Sequence, residues 1–487
     1  MGILKGGVLG RREFMAGAGT FALGGGLPEG VAAAELATSS ECLTAAYNFG
    51  NDDVDPRNEA LHGPRCTDPC LEEETCTHLH FNRPKIHFLR AIFASLLLVA
   101  TALTWGQTAA KPPRKYDVAA FVWPSYHPDD RAKIFWPDGI GEWQTVMSNK
   151  AKYDGHEQPR YPSWGYINEA DPYVAEMEIA AAADHGVNVF IFDWYWYDRQ
   201  PFLEGQLDEG YLKARNNDRV KFYLMWANHD VSLAWDKRNA DDAFSGKNKA
   251  QIWKGAVDRP EFEKIAHRII GKYFSQPSYY KIDDKPVLMI YDLRNLVEGL
   301  GGLEETRMAL DWFRTEVRKA GFLGLELQLS MRTEDAPDAS LTIGGKTYAQ
   351  KDIVQELRFD SLTHYQFAHF VDVNRDYNDI VKDAVVAWNR ISRNYTAKYY
   401  PHVSIGWDAS PRAYCYVGSV VKNNTPENFQ KALIEAKAFV DAHPDQAPLI
   451  TLNSWNEWTE TSYLQPDTLH GYAYLDAVKR VFKPEGK

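Results

Sequence analysis

At 487 residues the chain can hold two to four domains of ordinary size, or one large α/β barrel behind a leader. Hydrophobic residues make up 45% and charged residues 25%, with no low-complexity tract, which excludes a wholly disordered, collagenous or polytopic membrane protein. A net charge of −12, nearly all of it after residue 116, repels a phosphate backbone, and no basic groove is visible, so nucleic acid is not an expected partner.

Residues 1–35 carry Arg11-Arg12-Glu13-Phe14-Met15 ahead of the small and apolar run from Ala16 to Leu27. That is the pattern of a twin-arginine export signal, with a short buried helix as the alternative. Residues 36–85 read as a linker, either disordered or the product of a start site placed too far upstream; they contain Cys42, Cys66, Cys70 and Cys76. The spacing of the last three could ligate zinc, but no His-x3–5-His partner follows in register, and no metal or other cofactor is expected. Residues 86–116 form a second signal-like segment: Arg83, Lys85 and Arg90 precede an uncharged stretch from Ala91 to Ala110 that ends in small residues. Such a stretch can just span ~30 Å of hydrocarbon, so membrane contact is expected only if it stays uncleaved. The expected address is therefore outside the cytoplasm, periplasmic or extracellular. Cys415 is the one cysteine of residues 117–487, which leaves that domain without an internal disulfide.

From residue 117 onward, apolar runs of strand length alternate with stretches of helical period. The order is strand Val118–Val122, helix Tyr173–His185, strands Val189–Phe192 and Phe222–Trp226, helix Phe262–Phe274, strand Val287–Tyr291 and helix Glu304–Ala320. It continues with strands Leu325–Leu329 and Ser361–Tyr365, helix Ile380–Tyr395, strand Val403–Trp407, helix Pro426–Ala442, strand Leu449–Leu452 and helix His470–Phe482. Continuous apolar strands imply a parallel sheet buried on both faces, and eight of them with helices between predict a single (β/α)8 barrel over residues 117–487. A doubly wound open sheet is the alternative; no Gly-x-Gly-x-x-Gly turn follows the first strand, so a dinucleotide fold loses its main support.

In a barrel of this kind the chemistry lies where the strands end. Trp123, Tyr126 and His127 follow the first strand; Asp193-Trp194-Tyr195-Trp196-Tyr197 the second; Trp226, Asn228 and His229 the third; Tyr291-Asp292 the fourth. His364-Tyr365, Trp407-Asp408 and the run Asn453 to Glu460 close the later ones. Sugars need that mixture, since their C–H faces pack on aromatic rings while their hydroxyls bond to carboxylates, amides and imidazoles. The candidate contacts are Asp193, Trp194, Trp226, Asn228, His229, Tyr291, Trp407, Asp408, Asn456 and Trp458. Glu142 joins them, from a first loop long enough to form a cleft wall. For each the plain alternative is a packed rim residue, and Asp408 and Arg412 could instead pair as a rim salt bridge. Glu457 and Glu460 stand three residues apart after the eighth strand, and paired carboxylates split glycosidic bonds.

The run Trp455-Asn456-Glu457-Trp458-Thr459-Glu460-Thr461-Ser462-Tyr463-Leu464-Gln465-Pro466 resembles the closing motif of the glycoside hydrolase family 99 group, in particular its WbsX-like branch. Collinear agreement comes from Gly141-Glu142-Trp143, Gly155-His156-Glu157-Gln158-Pro159, Asp193 to Tyr197, Trp226-Ala227-Asn228, Asp284-Lys285-Pro286-Val287, Arg358-Phe359-Asp360-Ser361, Gly406-Trp407-Asp408 and Pro411-Arg412. The resemblance implies a (β/α)8 barrel and a retaining, endo-acting cleavage of α-mannoside-type glycans in which no enzyme nucleophile attacks the anomeric carbon. It implies Glu457 as the base that takes the 2-hydroxyl proton, giving a 1,2-anhydro sugar. It implies Glu460 as the acid that protonates the leaving oxygen and then activates water. Such roles require unlike pKa values, with Glu460 kept protonated by an apolar wall such as Trp458 or Tyr463. Two positions depart from the pattern: Thr461 stands where the family usually has Gly, and Gln465 where the branch often has Glu. Both leave the acid–base pair intact and bear on substrate. The expected function is an exported glycoside hydrolase acting on a polysaccharide or oligosaccharide. The alternatives are a glycosyltransferase or polysaccharide-assembly protein, as the WbsX-like branch is often described, and a non-catalytic glycan-binding protein, which would be marked by loss of one Glu.

Overall fold

The computed structural model describes residues 115–238, 251–331, 340–414 and 418–483. The first signal-like segment, the Cys42–Cys76 linker, all but the last two residues of the second signal-like segment, and Cys415 lie outside these residues. Eight strands form the barrel wall, within a sheet of eleven: β1 (Asp117–Val122), β2 (Val189–Tyr197), β3 (Lys221–Trp226), β4 (Lys285–Ile290), β5 (Glu326–Met331), β6 (Ser361–His364), β7 (His402–Ser404) and β8 (Leu449–Asn453). They are the eight apolar runs of the sequence. All neighbours are parallel, in the order β6-β5-β4-β3-β2-β1-β8-β7.

The ring closes through residues 398–404, which end in β7. Lys398-Tyr399 pair with Ser361-Leu362 of β6, and a few residues on His402–Ser404 pair with Thr451–Asn453 of β8. Pro401 separates the two halves because it has no N–H to give the ladder, yet its carbonyl still accepts from Thr451 N at 3.1 Å. One short stretch of chain is thus bonded on both sides, which excludes the open sheet and makes a closed (β/α)8 barrel.

Helices cover the outside: α1 (Pro172–His185), α2 (Arg259–Arg268), α3 (Leu293–Gly299), α4 (Leu303–Lys319), α5 (Gln350–Glu356), α6 (Tyr377–Asn394), α7 (Pro426–Ala442) and α8 (Ala473–Phe482). Their ends follow local chemistry. Asp171 caps α1 by accepting from Tyr173 N, Pro172 opens it, and Gly186 ends it at φ 92. Between β2 and β3 the sequence lacks a helical period, and there a π turn (Gln206–Gly210) and a 3-10 turn (Tyr211–Lys213) replace the α-helix.

Strand alternation decides which residues enter the barrel. Tyr223 donates to Gln328 Oε1 at 3.0 Å, Gln328 Nε2 to Ser361 Oγ at 3.3 Å, and Thr363 and Thr451 exchange a hydroxyl bond of 2.8 Å. These bonds satisfy the buried polar groups of the interior. Above them Phe121 sets its edge on Tyr365 at 4.8 Å, the floor of the site.

Candidate active site

The eighth strand ends in a tight hairpin. Asn456-Glu457 pair antiparallel with Ser462-Tyr463, and Trp458–Glu460 form one 3-10 turn between them. Thr461 reverses the chain at φ 53, a left-handed conformation that costs a residue with a Cβ roughly 1–2 kcal/mol. Its hydroxyl offsets part of that cost by accepting from Gln158 Nε2 at 2.8 Å and donating to the Asp408 carbonyl at 3.3 Å. A glycine would avoid the strain but could not make either bond. The hairpin turns Glu457 and Glu460 toward a single cation, Arg412.

Arg412 joins three carboxylates: Nη1 meets Glu460 at 2.6 Å, Nη2 meets Glu457 at 3.3 Å, and Nε meets Glu142 at 3.1 Å. All four side chains are buried, and the guanidinium lies 5.7 Å from the centre of the Trp123 ring. Glu142 is held from its other side by Trp123 Nε1 at 2.5 Å and Ser125 Oγ at 3.1 Å. Gly141 makes that possible: at φ +66 a Cβ there would sit 1.9 Å from the Ser125 carbonyl, so no larger residue lets the loop approach this closely.

Glu457 also accepts from Tyr365 Oη at 2.7 Å and from Asn453 Nδ2 at 3.4 Å, the Asn453 amide being oriented by Gln366 at 2.9 Å. Tyr365 makes a second contact, 3.0 Å to Asp193 Oδ2. Glu460 differs from Glu457: one oxygen is taken by Arg412, while Oε2 is buried with no partner among the described residues. Burial first, and then the negative charge of Glu457, push the Glu460 carboxyl well above the ordinary carboxylate range despite Arg412. Burial and the Glu457 charge do the same to Asp193. The site therefore has two carboxyl groups inclined to hold protons beside one that takes bonds from three donors.

Not every candidate from the sequence reaches this cluster. Trp194 and Trp226 are partners in the β2–β3 register and share the outward face. Trp194 Nε1 bonds to Glu204 at 2.8 Å, and Trp226 packs 6.1 Å from Phe262 of α2, so both belong to the layer between sheet and helices. Asn456 and Asn228 are backbone clamps. The first accepts from Trp123 N at 2.8 Å and donates to Trp123 O at 2.9 Å; the second does the same to Asp292 at 2.7 and 2.8 Å. Asp408 does not pair with Arg412. It takes His156 Nε2 at 2.7 Å and both the amide and hydroxyl of Ser410; burial opposes its ionisation, but those bonds hold it below its usual value.

Trp458 is held within its own segment. Its ring stacks on Tyr463 at 3.8 Å and its N–H donates to Gln465 Oε1 at 2.6 Å. Behind it, the Gln465 amide donates to Glu169 at 2.7 Å and to Glu178 at 2.5 Å, while Asn456 and Trp455 bond to the same two carboxyls. Burial pushes Glu178 up to about 7, and burial with the Glu178 charge raises Glu169 further. Three rings remain at the rim. Tyr291 lies 5.5 Å from Tyr365 and 5.4 Å from His229, and the Trp407 N–H has no partner among the described residues. Arg412 and Tyr365 are central here, although neither was a candidate contact. Both follow strand ends, β7 and β6, which was the available signal.

Among solved structures, one described as a glycoside hydrolase-like protein is 14% identical with a TM-score of 0.48, covering 77% of this chain and 95% of that one. A glycoside hydrolase family 99 endo-α-mannosidase from Bacteroides thetaiotaomicron is 13% identical with a TM-score of 0.44, covering 75% and 95%. Two Xanthomonas campestris pv. campestris proteins, each described as uncharacterized protein WxcX, are 26% identical over 375 residues, 74% of this chain and 49% of theirs. The chain thus spans about half the length of the curated relatives it matches. The family model described as glycosyltransferase WbsX matches residues 118–478, and the chain belongs to that family.

Proposed function

We propose that this chain cleaves glycosidic bonds within α-mannoside-type or related glycans, with Glu460 as acid and Glu457 as base. The observation that carries the reading is the asymmetry of the pair on Arg412: Glu460 has a raised pKa and one oxygen free, whereas Glu457 accepts from Arg412, Tyr365 and Asn453. Protonated Oε2 of Glu460 would give its proton to the leaving oxygen as the anomeric C–O bond breaks. Glu457 would take the proton of the 2-hydroxyl, whose oxygen closes on the anomeric carbon to form a 1,2-anhydro sugar. Water would then add to that carbon, giving a proton to Glu460 while Glu457 returns its own to O2. Two inversions yield retention. A sugar hydroxyl in place of water would give the transfer reaction that the family description names, with the first half unchanged. Because Glu460 must start protonated, activity is expected to fall as pH rises through its folded pKa.

The test is the full chain incubated with mannans and other polysaccharides, with and without an added sugar acceptor, followed by analysis of the released ends. Glu460→Gln is expected to lose roughly 10²–10⁴-fold on substrates with poor leaving groups and far less on activated aryl glycosides. Glu457→Gln should slow both kinds. Turnover of a 2-deoxy substrate, or a covalent sugar on Glu457, would replace this mechanism with two-carboxylate retention, and full activity of both variants would remove the reading. Export belongs to the same proposal: sequencing the native N-terminus should find a start near Lys111, and a mature chain retaining Cys66 would refute cleavage there.

A further inference from the structure

Tyr365 Oη lies 3.0 Å from Asp193 Oδ2 and 2.7 Å from Glu457 Oε2, with all three groups buried. A phenol has one hydrogen and can donate to only one of these oxygens. If both carboxyls were anions, one of the two contacts would set an anionic oxygen against a phenol lone pair, out of reach of water. Both contacts are hydrogen bonds only when one carboxyl supplies a proton of its own.

The surroundings decide which one. Glu457 has Arg412 at 3.3 Å and Asn453 Nδ2 at 3.4 Å. Asp193 has no ion-pair partner among the described residues, and its Oδ1 is buried without a hydrogen bond. Among the described residues, the titratable groups whose charge acts on Asp193 are Glu457, Glu460, Tyr365 and Tyr195, none of them a cation. An aspartate anion there would be desolvated, uncompensated and next to other negative groups.

We infer that Asp193 is a neutral carboxylic acid in the resting protein, donating to the Tyr365 oxygen so that the single Tyr365 hydrogen is aimed at Glu457. Asp193 is a positioning residue: it fixes the direction of the Tyr365 hydroxyl and thereby keeps a donor on the base. The inference rests on the reading of Glu457 as base for its consequence in turnover, but the protonation state is a property of the protein alone. An amide in place of the acid keeps a donor at this position, and a methyl does not.

The experiment therefore has two arms. In the first, the full chain is labelled with carboxyl-¹³C aspartate and its infrared spectrum recorded at pH 7. A neutral-acid carbonyl band that shifts with the label, and is lost in Asp193→Asn, is the expected result. No label-shifted neutral band in the wild type overturns the inference, whether or not any glycan is turned over. In the second arm, kcat/KM on a cleaved glycan is compared across Asp193→Asn, Asp193→Ala and Tyr365→Phe. Asp193→Asn should be at least roughly tenfold more active than Asp193→Ala, and Tyr365→Phe should lower kcat more than it raises KM. Equal loss in Asp193→Asn and Asp193→Ala, with both folded by circular dichroism, would mean that an anion is needed and would overturn it. A wild type that shows the band yet cleaves nothing would fail the hydrolase reading and leave this inference standing.

Discussion

Replacing Arg412 with Met removes the one cation shared by Glu142, Glu457 and Glu460 while keeping an unbranched chain of similar length. Deleting one partner of a buried ion pair usually costs about 3–5 kcal/mol, because the remaining charge stays desolvated. Here Glu142 and Glu457 lose their cation together, and Glu460 loses a hydrogen bond, so the upper part of that range is expected at pH 7. For roughly 350 described residues, an unfolding entropy of about 2.1 cal/mol/K per residue converts the range into a drop of about 4–7 °C in Tm. The orphaned carboxyls can answer only by binding protons, which raises their folded pKa above the unfolded value. A group shifted that way gives its stability below the unfolded pKa and loses it as pH rises through the folded one. The gap between Arg412→Met and wild type should therefore be widest near pH 8 and narrow toward pH 5 in thermal melts. Arg412→Lys, with a point charge that cannot reach three acceptors at once, should recover part of the loss. A variant as stable as wild type at pH 8, or a gap that does not change with pH, would refute the view that Arg412 compensates the three carboxyls.

Other outcomes follow from the packing. Trp226→Ala should destabilise the barrel by about 3–5 kcal/mol with unchanged glycan affinity in calorimetry of the folded protein, since its ring lies against α2; a stable variant that loses affinity would put Trp226 back on the sugar. Thr461→Gly should be more stable than Thr461→Ala by about 1 kcal/mol in urea titrations, because both lose the hydroxyl bonds but only glycine relaxes φ 53. Glu178, pushed up to about 7 by burial, should make stability fall between pH 5 and pH 8, and Glu178→Gln should flatten that fall by up to about 1.4 kcal/mol per pH unit. An unchanged slope would show that Glu178 keeps the same charge in both states.

The strands were legible because each is apolar over its full width, and only a sheet buried on both faces requires that. The alternation of strands with helical stretches then leaves few topologies, though closure itself depends on residues 398–404 pairing on both sides of Pro401, which no periodicity displays. The site was legible at Glu457 and Glu460, where the spacing is short enough for one hairpin to hold both. It was misread wherever adjacent residues of a strand end were treated alike. Asp193 and Trp194 are neighbours in sequence, yet a strand sends them to opposite faces, one into the barrel and one against the helical layer. The same parity separates Met225 from Trp226. Asn228 and Asn456 were read as sugar ligands because they stand beside aromatic rings at strand ends; each amide instead exchanges two bonds with the backbone of an adjoining strand end. Arg412 was matched with Asp408, its near neighbour in sequence, because its three partners come from residues 142, 457 and 460, a convergence that only the closed ring produces.

The Gln465 amide spends both its hydrogens on Glu169 and Glu178 and its oxygen on Trp458, so nothing of the side chain is left over. A glutamate at 465 would have no N–H to offer and would face two carboxyls in a dry pocket. The three positions therefore form a matched set, and an exchange of one between relatives is expected to fail unless a second changes with it. Anyone transplanting the Trp455–Pro466 segment into another barrel must carry residues 169 and 178 along, although they lie nearly three hundred positions upstream. Glu178→Gln should in the same way soften a Gln465→Glu change that is poorly tolerated alone, making this stretch heritable as a block rather than residue by residue.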